Sequence, residues 1–318
     1  MKNRLATEEE NNLYTENPAN DVFLFTKAFL SNQLARFAPK LYVDLTHQTG
    51  RGDREEESPL QISEYYIRCF REYLDQIGIR ENETNEYLQG KVILEYGPGD
   101  ILGVALLMYA YGAKTVCCVD RFPLSRLSNK NIDVYMHLLK SLGKGERERA
   151  HNAFNEQGNP KSGFNPKAIT YRVTKNGLSG SSREYDLIIS RAVLEHVNNL
   201  EETMIDIKRS LKYGGVSIHE VDLKSHGLDR YKEFDFLTWP KPIYDLMYSH
   251  KGFPNRWRVN KYRELAESSK LHVKKLSPVD QLEQEKLDVI YLKVAKEFSR
   301  VSSEELSWLG FWMLLDHA

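Results

Sequence analysis

Cysteine is scarce in this chain: three in 318 residues, of which Cys117 and Cys118 are neighbours in an apolar run. An odd count with that spacing argues against a disulfide framework and for a reducing compartment. No CxxC pair or His/Cys array has zinc spacing, so no metal is expected. No apolar run approaches the ~20 residues of a membrane span. The opening MKNRLATEEENN is polar and acidic, so a signal peptide is not expected either. Charge of one sign is not in excess. Lys+Arg is 44 against Asp+Glu 45, a net charge of −1, which speaks against a dedicated nucleic-acid binder. Internal repeats and low-complexity tracts are missing. What remains is an ordinary globular composition, 41% apolar and 28% charged, long enough for one large domain or a domain with extensions. The expectation is a cytoplasmic protein with no membrane or nucleic-acid partner.

The first ninety residues read as a helical preface. Val22, Phe23, Phe25, Phe29, Leu30, Leu34 and Phe37 fit one side of a helix, and Tyr66, Ile67, Phe70, Tyr73 and Leu74 fit another. Between them TGRGDREEESP (49–59) is polar and broken, hence a loop. At Lys91 the pattern changes. KVILEY is an apolar run without alternation, as in a strand buried on both faces of a parallel sheet. KTVCCVD (114–120), AITYRV (168–173), YDLIISR (185–191) and VSIHEVDL (216–223) read as further strands. Helical patterns separate the first two and the last two: ILGVALLMYAYGA, and LEETMIDIKRSLKYGG (200–215), which two glycines stop. NIDVYMHLLKSLGKG is a further helix, followed by a loop through about Pro166. Alternating strands and helices predict a doubly wound α/β domain. After His226 comes an aromatic-rich segment that includes Tyr231, Phe234, Trp239, Tyr244, Phe253 and Trp257. Then follow a helix (NKYRELAESS), a strand (LHVKKLSPV), a helical stretch Gln281–Phe298 and a last strand in LSWLGFWMLL.

The turn in VILEYGPGDILG, Val92 to Gly103, poses the functional question. A glycine turn after a strand commonly cradles a phosphate on a helix N-terminus. Here Gly97, Gly99 and Gly103 give GxGxxxG, one residue too long for the dinucleotide fingerprint, and no P-loop sequence is present. Pro98 has no N–H to offer, and Glu95 would repel a phosphate. A ligand with a positive end and no phosphate suits the turn better, because a carboxylate pairs with an ammonium group. S-adenosylmethionine has an ammonium, a sulfonium and a ribose diol. Asp120 ends the second strand, where α/β sheets bind ligands. It either accepts the ribose hydroxyls or pairs with Arg121.

The motifs VLEYGPG, then VD, YDLIISRAVLEHV and LKYGG ahead of a strand, in that order and spacing, resemble the class I S-adenosylmethionine-dependent methyltransferases over about Leu88–Val221. The resemblance implies a Rossmann-like seven-stranded sheet with helices on both faces and an antiparallel last strand near Trp308–Leu315. It also implies S-adenosylmethionine as cofactor and S-adenosylhomocysteine as product. Glu95, Tyr96, Gly97 and Gly99 would line the methionine and ribose side. Asp120 with Arg121 would take the ribose, and Ser190 and Arg191 would lie near the reacting methyl. Many members carry an acid for the adenine amine after the third strand. Here Thr174, Lys175 and Asn176 follow, and the Asn176 side-chain oxygen can accept. Ile101 stands where a third glycine is common. The division expected is residues 1–90 as an N-terminal helical extension and 91–318 as the methyltransferase domain, with a substrate lid inserted after the fifth strand at about 226–260.

Methyl transfer is an in-line displacement, so the protein mainly aligns the nucleophile. A hydroxyl acceptor needs a base, and histidine is the usual choice. His226, past the fifth strand, is the preferred base, with Asp222 as orienting partner. A solvated loop histidine is the plain alternative. His196 is a further candidate, balanced by a packing role. His219, inside a strand, reads as a hydrogen-bonded interior histidine. A metal held by His219, Asp222 and His226 is disfavoured, since alternation points His219 and Asp222 to opposite faces. The aromatic segment suggests a partly apolar, ring-shaped small-molecule acceptor, a sugar or natural product methylated at oxygen. N- or C-methylation, and cofactor binding without transfer, are the alternatives. Arg256 and Arg258 read as surface charges by default. Apolar surface exposed on the N-terminal helices would favour a homodimer.

Overall fold

The computed structural model describes residues 17–46, 50–52, 55–232, 234–251 and 256–318. Thr49, Asp53 and Arg54 of the expected loop, and Phe253 of the aromatic segment, lie outside the described residues. Helices α1 (Pro18–Phe37), α2 (Pro39–Thr46) and α3 (Pro59–Gln76) come first. α3 starts cleanly because Ser58 and Gln61 form a reciprocal capping box and Pro59 opens the first turn. A short α4 (Thr84–Leu88) leads into β1 (Val92–Tyr96). Then come α5 (Gly103–Ala110), β2 (Thr115–Asp120), α6 (Asn129–Ser141), α7 (Lys144–His151), β3 (Ile169–Val173) and β4 (Tyr185–Arg191). The second half holds α8 (Leu200–Ser210), β5 (Leu211–Asp222), α9 (Lys241–Tyr248), α10 (Val259–Ser268), β6 (Leu271–Gln281), α11 (Gln284–Tyr291), α12 (Ser303–Ser307) and β7 (Trp308–His317).

The seven strands form one sheet in the order β3-β2-β1-β4-β5-β7-β6. β1 pairs in parallel with both β2 and β4, so strand order reverses between β1 and β4. That reversal opens a crevice at the carboxyl ends of the strands. β7 runs antiparallel between β5 and β6, as expected. Alternate residues of each strand feed opposite faces. Ile93 and Cys118 join α3, α5 and α6 on one face, whereas Leu94 and Cys117 join α8 and α10 on the other. Helix α3, from the expected preface, therefore contributes Ile62, Tyr66, Phe70 and Tyr73 to the main core. The three cysteines are buried and unpaired, as their scarcity suggested.

Several boundaries differ from expectation. The helix over 200–215 stops at Ser210, whose hydroxyl bonds back to the carbonyls of Asp206 and Ile207, and β5 begins at Leu211 opposite Tyr185. The loop through Pro166 contains α7. Its Arg149 is pinned to the carbonyls of Tyr109 and Ala113 at 2.7 and 2.6 Å. The helical stretch expected over Gln281–Phe298 is α11 followed by a separate 3-10 turn, Lys296–Phe298.

The segment after β5 supplies both core and cavity wall, the latter through His226 and Lys251. Phe234, Phe236, Trp239 and Tyr244 pack with Leu287, Ile290 and Phe298 in a third cluster of their own. These rings fill a core instead of facing the cleft. Arg256 and Arg258 are not surface charges either. Both are buried. Arg258 donates to the carbonyls of Leu223 and Trp308 and lies over the Phe234 ring at 4.6 Å. Arg256 is held by the Phe236 and Trp239 carbonyls and by Glu297. A guanidinium with several donors can join carbonyls from separate segments, which explains its use here. α1 is tied to the same insertion. Asn32 donates to the Leu246 carbonyl at 2.9 Å and accepts from the His250 N–H at 2.8 Å.

Candidate active site

At the carboxyl ends of β1, β2, β4 and β5 the crevice widens into a cavity of about 860 Å³. Its floor is the turn after β1. Gly97 and Gly99 both have left-handed backbone, with φ of 62° and 76°. A Cβ on Gly97 would strike the Val193 side chain, so that position requires glycine on two counts. The Gly97 N–H is anchored to the Val119 carbonyl at 2.8 Å.

Two carboxylates project into this cavity. Glu95 is buried, and burial pushes its carboxyl up to about 8, with Asp120 adding to the rise. Cys118 Sγ lies 3.6 Å from its Oε2. Asp120, at the end of β2, is pushed up to about 7 by burial, against hydrogen bonds from the Gly99 and Arg121 N–H groups and the Tyr171 hydroxyl. Two desolvated acids side by side are costly for a protein with no ligand to meet them. They suit a ligand that brings an ammonium and a diol. Arg121, Asn176 and Gly177 line the wall beyond Asp120.

The wall nearer β4 and β5 is charged on both sides. Arg191 sits between Glu72 of α3 at 2.6 Å and Glu220 of β5 at 2.7 Å. Ser190, expected near the reacting methyl, turns its hydroxyl the other way. It lies 2.7 Å from Nδ1 of His219, its register partner on β5. Nε2 of His219 meets the Ser217 hydroxyl at 2.5 Å, and burial pushes this imidazole down to about 3. His219 is a neutral interior group, as expected. Tyr96 lines the cavity, and its hydroxyl donates to Asp206 at 2.5 Å.

The candidate base is assembled. His226 Nε2 lies 3.1 Å from Asp222 Oδ2, and both residues line the cavity. Burial would raise the Asp222 carboxyl, but the His226 hydrogen bond and the Lys224 N–H outweigh it and leave it below its ordinary value. His196 stands edge-on to His226 with ring centroids 5.3 Å apart. Beneath them Glu195 is fully buried, its Oε1 3.7 Å from His196 Nε2, and burial pushes its carboxyl well above the usual range. His226 itself adopts φ 52°, a left-handed conformation uncommon outside glycine.

Sequence reasoning missed the contribution of the N-terminal helices. Tyr65, Tyr66 and Tyr73 of α3, Tyr42 of α2 and Arg51 all line the cavity. Arg51 lies 3.6 Å above the Tyr65 ring and is paired with Glu57 at 2.6 Å. The Gly50–Gly52 turn sits directly on Asp100, and a Cβ on either glycine would meet that carboxylate. The doublet of glycines around Arg51 was the available signal.

A seven-stranded 3-2-1-4-5-7-6 sheet with this turn and these acids defines a class I S-adenosylmethionine-dependent methyltransferase. The chain belongs to the family described as Methyltransferase domain, which matches residues 65–268, and its cofactor is S-adenosylmethionine. None of the curated proteins compared with the chain matches it. The chain is similar to several solved structures at low identity. An S-adenosylmethionine dependent methyltransferase from Mesorhizobium loti is 12% identical over 73% of this chain and 94% of its own, with a TM-score of 0.41. Geranyl diphosphate C-methyltransferase from Streptomyces coelicolor A3(2) is 12% identical over 75% and 78%, with a TM-score of 0.40. Phosphoethanolamine N-methyltransferase 2 from Haemonchus contortus is 14% identical over 83% and 57%, with a TM-score of 0.41. The assignment rests on the domain match and the strand order. Among the described residues no helix is long and apolar enough to cross a membrane, and no group of His, Cys, Asp or Glu could hold a metal ion.

Proposed function

We propose that this methyltransferase acts on a hydroxyl of a small-molecule acceptor, with His226 as the general base. The observation that carries the reading is the Asp222–His226 pair on the cavity wall, 3.1 Å apart, at the end of β5. The bound cofactor supplies an electrophilic methyl and its own leaving group. Glu95 would pair with the ammonium, the Gly97–Gly99 turn would admit the methionine closely, and Asp120 would accept the ribose hydroxyls, with Arg121 and Asn176 beyond it. Asp222, held ionised, orients the imidazole and stabilises its protonated form. His226 Nδ1, the nitrogen not engaged by Asp222, takes the hydroxyl proton as the oxygen attacks. His196 would close the acceptor side. Arg191, fixed between two carboxylates, keeps the wall rigid. Phe234, Phe236, Trp239 and Tyr244 pack into a core, so they give no reason to prefer a ring-shaped acceptor.

The test is turnover of methyl-labelled cofactor against a panel of hydroxylated sugars and natural products, amines and carbon acids. His226→Ala should lose roughly 10²-fold or more in kcat with an oxygen acceptor, while cofactor affinity by calorimetry stays unchanged. Full activity in that variant removes the base assignment. Turnover confined to amines or carbon acids replaces the oxygen acceptor with the competing nitrogen or carbon one.

A further inference from the structure

Helix α1 carries apolar residues on two sides, one packed and one exposed. Its packed side carries Ala28, Asn32 and Ala35, small or polar groups. Phe25 and Leu34 pack against buried clusters, but three other large apolar residues face water: Phe23, Leu30 and Phe37 are 64, 62 and 75% exposed. At ~100° per residue these three fall within ~40° of one another, one to every second turn. Thr26 and Gln33 lie between them on that side, and neither is charged. Val22 at its edge, and Leu41 and Leu45 of α2, are exposed as well. Single exposed apolar residues are ordinary, but a continuous stripe marks an interaction surface.

The rim of the stripe is basic. Lys27 and Arg36 fall on its opposite flanks, and Lys40 follows on α2; all three are exposed. The acids nearby are already engaged. Asp21 takes Arg230 at 3.0 Å and the Tyr231 hydroxyl at 2.8 Å, and Asp44 pairs with Arg126 at 3.5 Å. A second copy would set one basic rim against another, which disfavours self-pairing. An apolar face flanked by lysine and arginine is complementary to an anionic lipid surface, with the rings below the headgroups and the cations among them.

We propose that α1 and α2 form an in-plane docking face for anionic membranes. The lack of a spanning helix bears on crossing a bilayer, not on lying in its surface. The face borders the cavity, since Tyr42 of α2 lines it and Lys251, also on its wall, donates to Ser31 of α1 at 2.9 Å. The proposal is independent of which atom is methylated.

Co-sedimentation of the full chain with vesicles of phosphatidylcholine alone, and with phosphatidylglycerol added, tests it. Binding should appear with phosphatidylglycerol and weaken on adding salt. Replacing Lys27, Arg36 or Lys40 by Gln should weaken partitioning by about fivefold per charge removed. Leu30→Glu with Phe37→Glu should abolish it, with circular dichroism and cofactor affinity unchanged. If that pair disturbs folding, the Gln series alone decides. No binding to anionic vesicles, or binding indifferent to the Gln series, overturns the proposal. Light scattering that shows a dimer dissociated by Leu30→Glu would assign the face to a second copy instead.

Discussion

Glu95→Gln should make the ligand-free protein more stable and the cofactor bind worse, and the two effects should share one cause. In the folded chain burial holds the Glu95 carboxyl at about 8, against 4.5 for an ordinary glutamate in water. An acid raised on folding binds its proton more tightly in the native state, so stability falls as pH rises. The penalty is absent below the unfolded value of 4.5, grows across the interval, and is complete above about 8. At about 1.4 kcal/mol per pH unit the whole displacement is worth about 5 kcal/mol. Between pH 5 and pH 9 about 4 kcal/mol of it should develop. Glutamine has no proton to lose. The gap in urea-unfolding free energy between Glu95→Gln and the unchanged chain should therefore widen by a few kcal/mol from pH 5 to pH 9. The cofactor should reverse the preference, because its ammonium favours the ionised acid. At pH 7 binding should release about one proton from Glu95, read by calorimetry in buffers of different ionisation enthalpy. Asp120, held at about 7, should add to the release. Glu95→Gln should lose the Glu95 proton. A stability gap that does not change with pH, or an unchanged proton count in the variant, would refute the reasoning.

Asp222→Asn should lower turnover, measured in steady-state kinetics, far more than cofactor affinity, measured by calorimetry, because the His226 hydrogen bond loses its charge. Gly97→Ala should abolish cofactor binding in calorimetry, since its Cβ meets Val193 and its φ is 62°. His219→Leu should cost about 1–3 kcal/mol in denaturant unfolding by leaving the Ser190 and Ser217 hydroxyls buried without their partner. That loss should be smaller at pH 6 than at pH 8 by about 1 kcal/mol, because the unfolded imidazole, at its ordinary 6.5, takes up a proton that the native one, held at about 3, does not.

The sheet and the cofactor turn were legible because each leaves a local signature. β1, β2 and β4 are buried on both faces and read as unbroken apolar runs. Gly97 and Gly99 sit where only a particular backbone fits. The direction of Ser190 was not legible, because it depends on His219 lying opposite in a register the sequence does not print. The aromatic segment misled for a similar reason. Ring density shows that something apolar is being covered, but not whether it is a ligand or the chain's own residues at Leu287 and Ile290. The burial of Arg256 and Arg258 has no local signal, since it is set by carbonyls of Trp239 and Trp308 from other elements. Arg51 reaches the cavity only because its loop folds back onto Asp100, about fifty residues away.

The place of β7 in the sheet bears on how the protein is made. Ribosomes deliver α3 well before β7, yet Tyr73 of α3 packs edge-on against Trp312 of β7 with centroids 5.6 Å apart. β7 also inserts between β5 and β6 instead of adding outside them. Until it emerges, β5 presents an unpaired edge and α3 lacks part of its packing partner. A nascent chain in that state exposes an adhesive strand. Its synthesis thus has a vulnerable interval that closes only when β7 is in place.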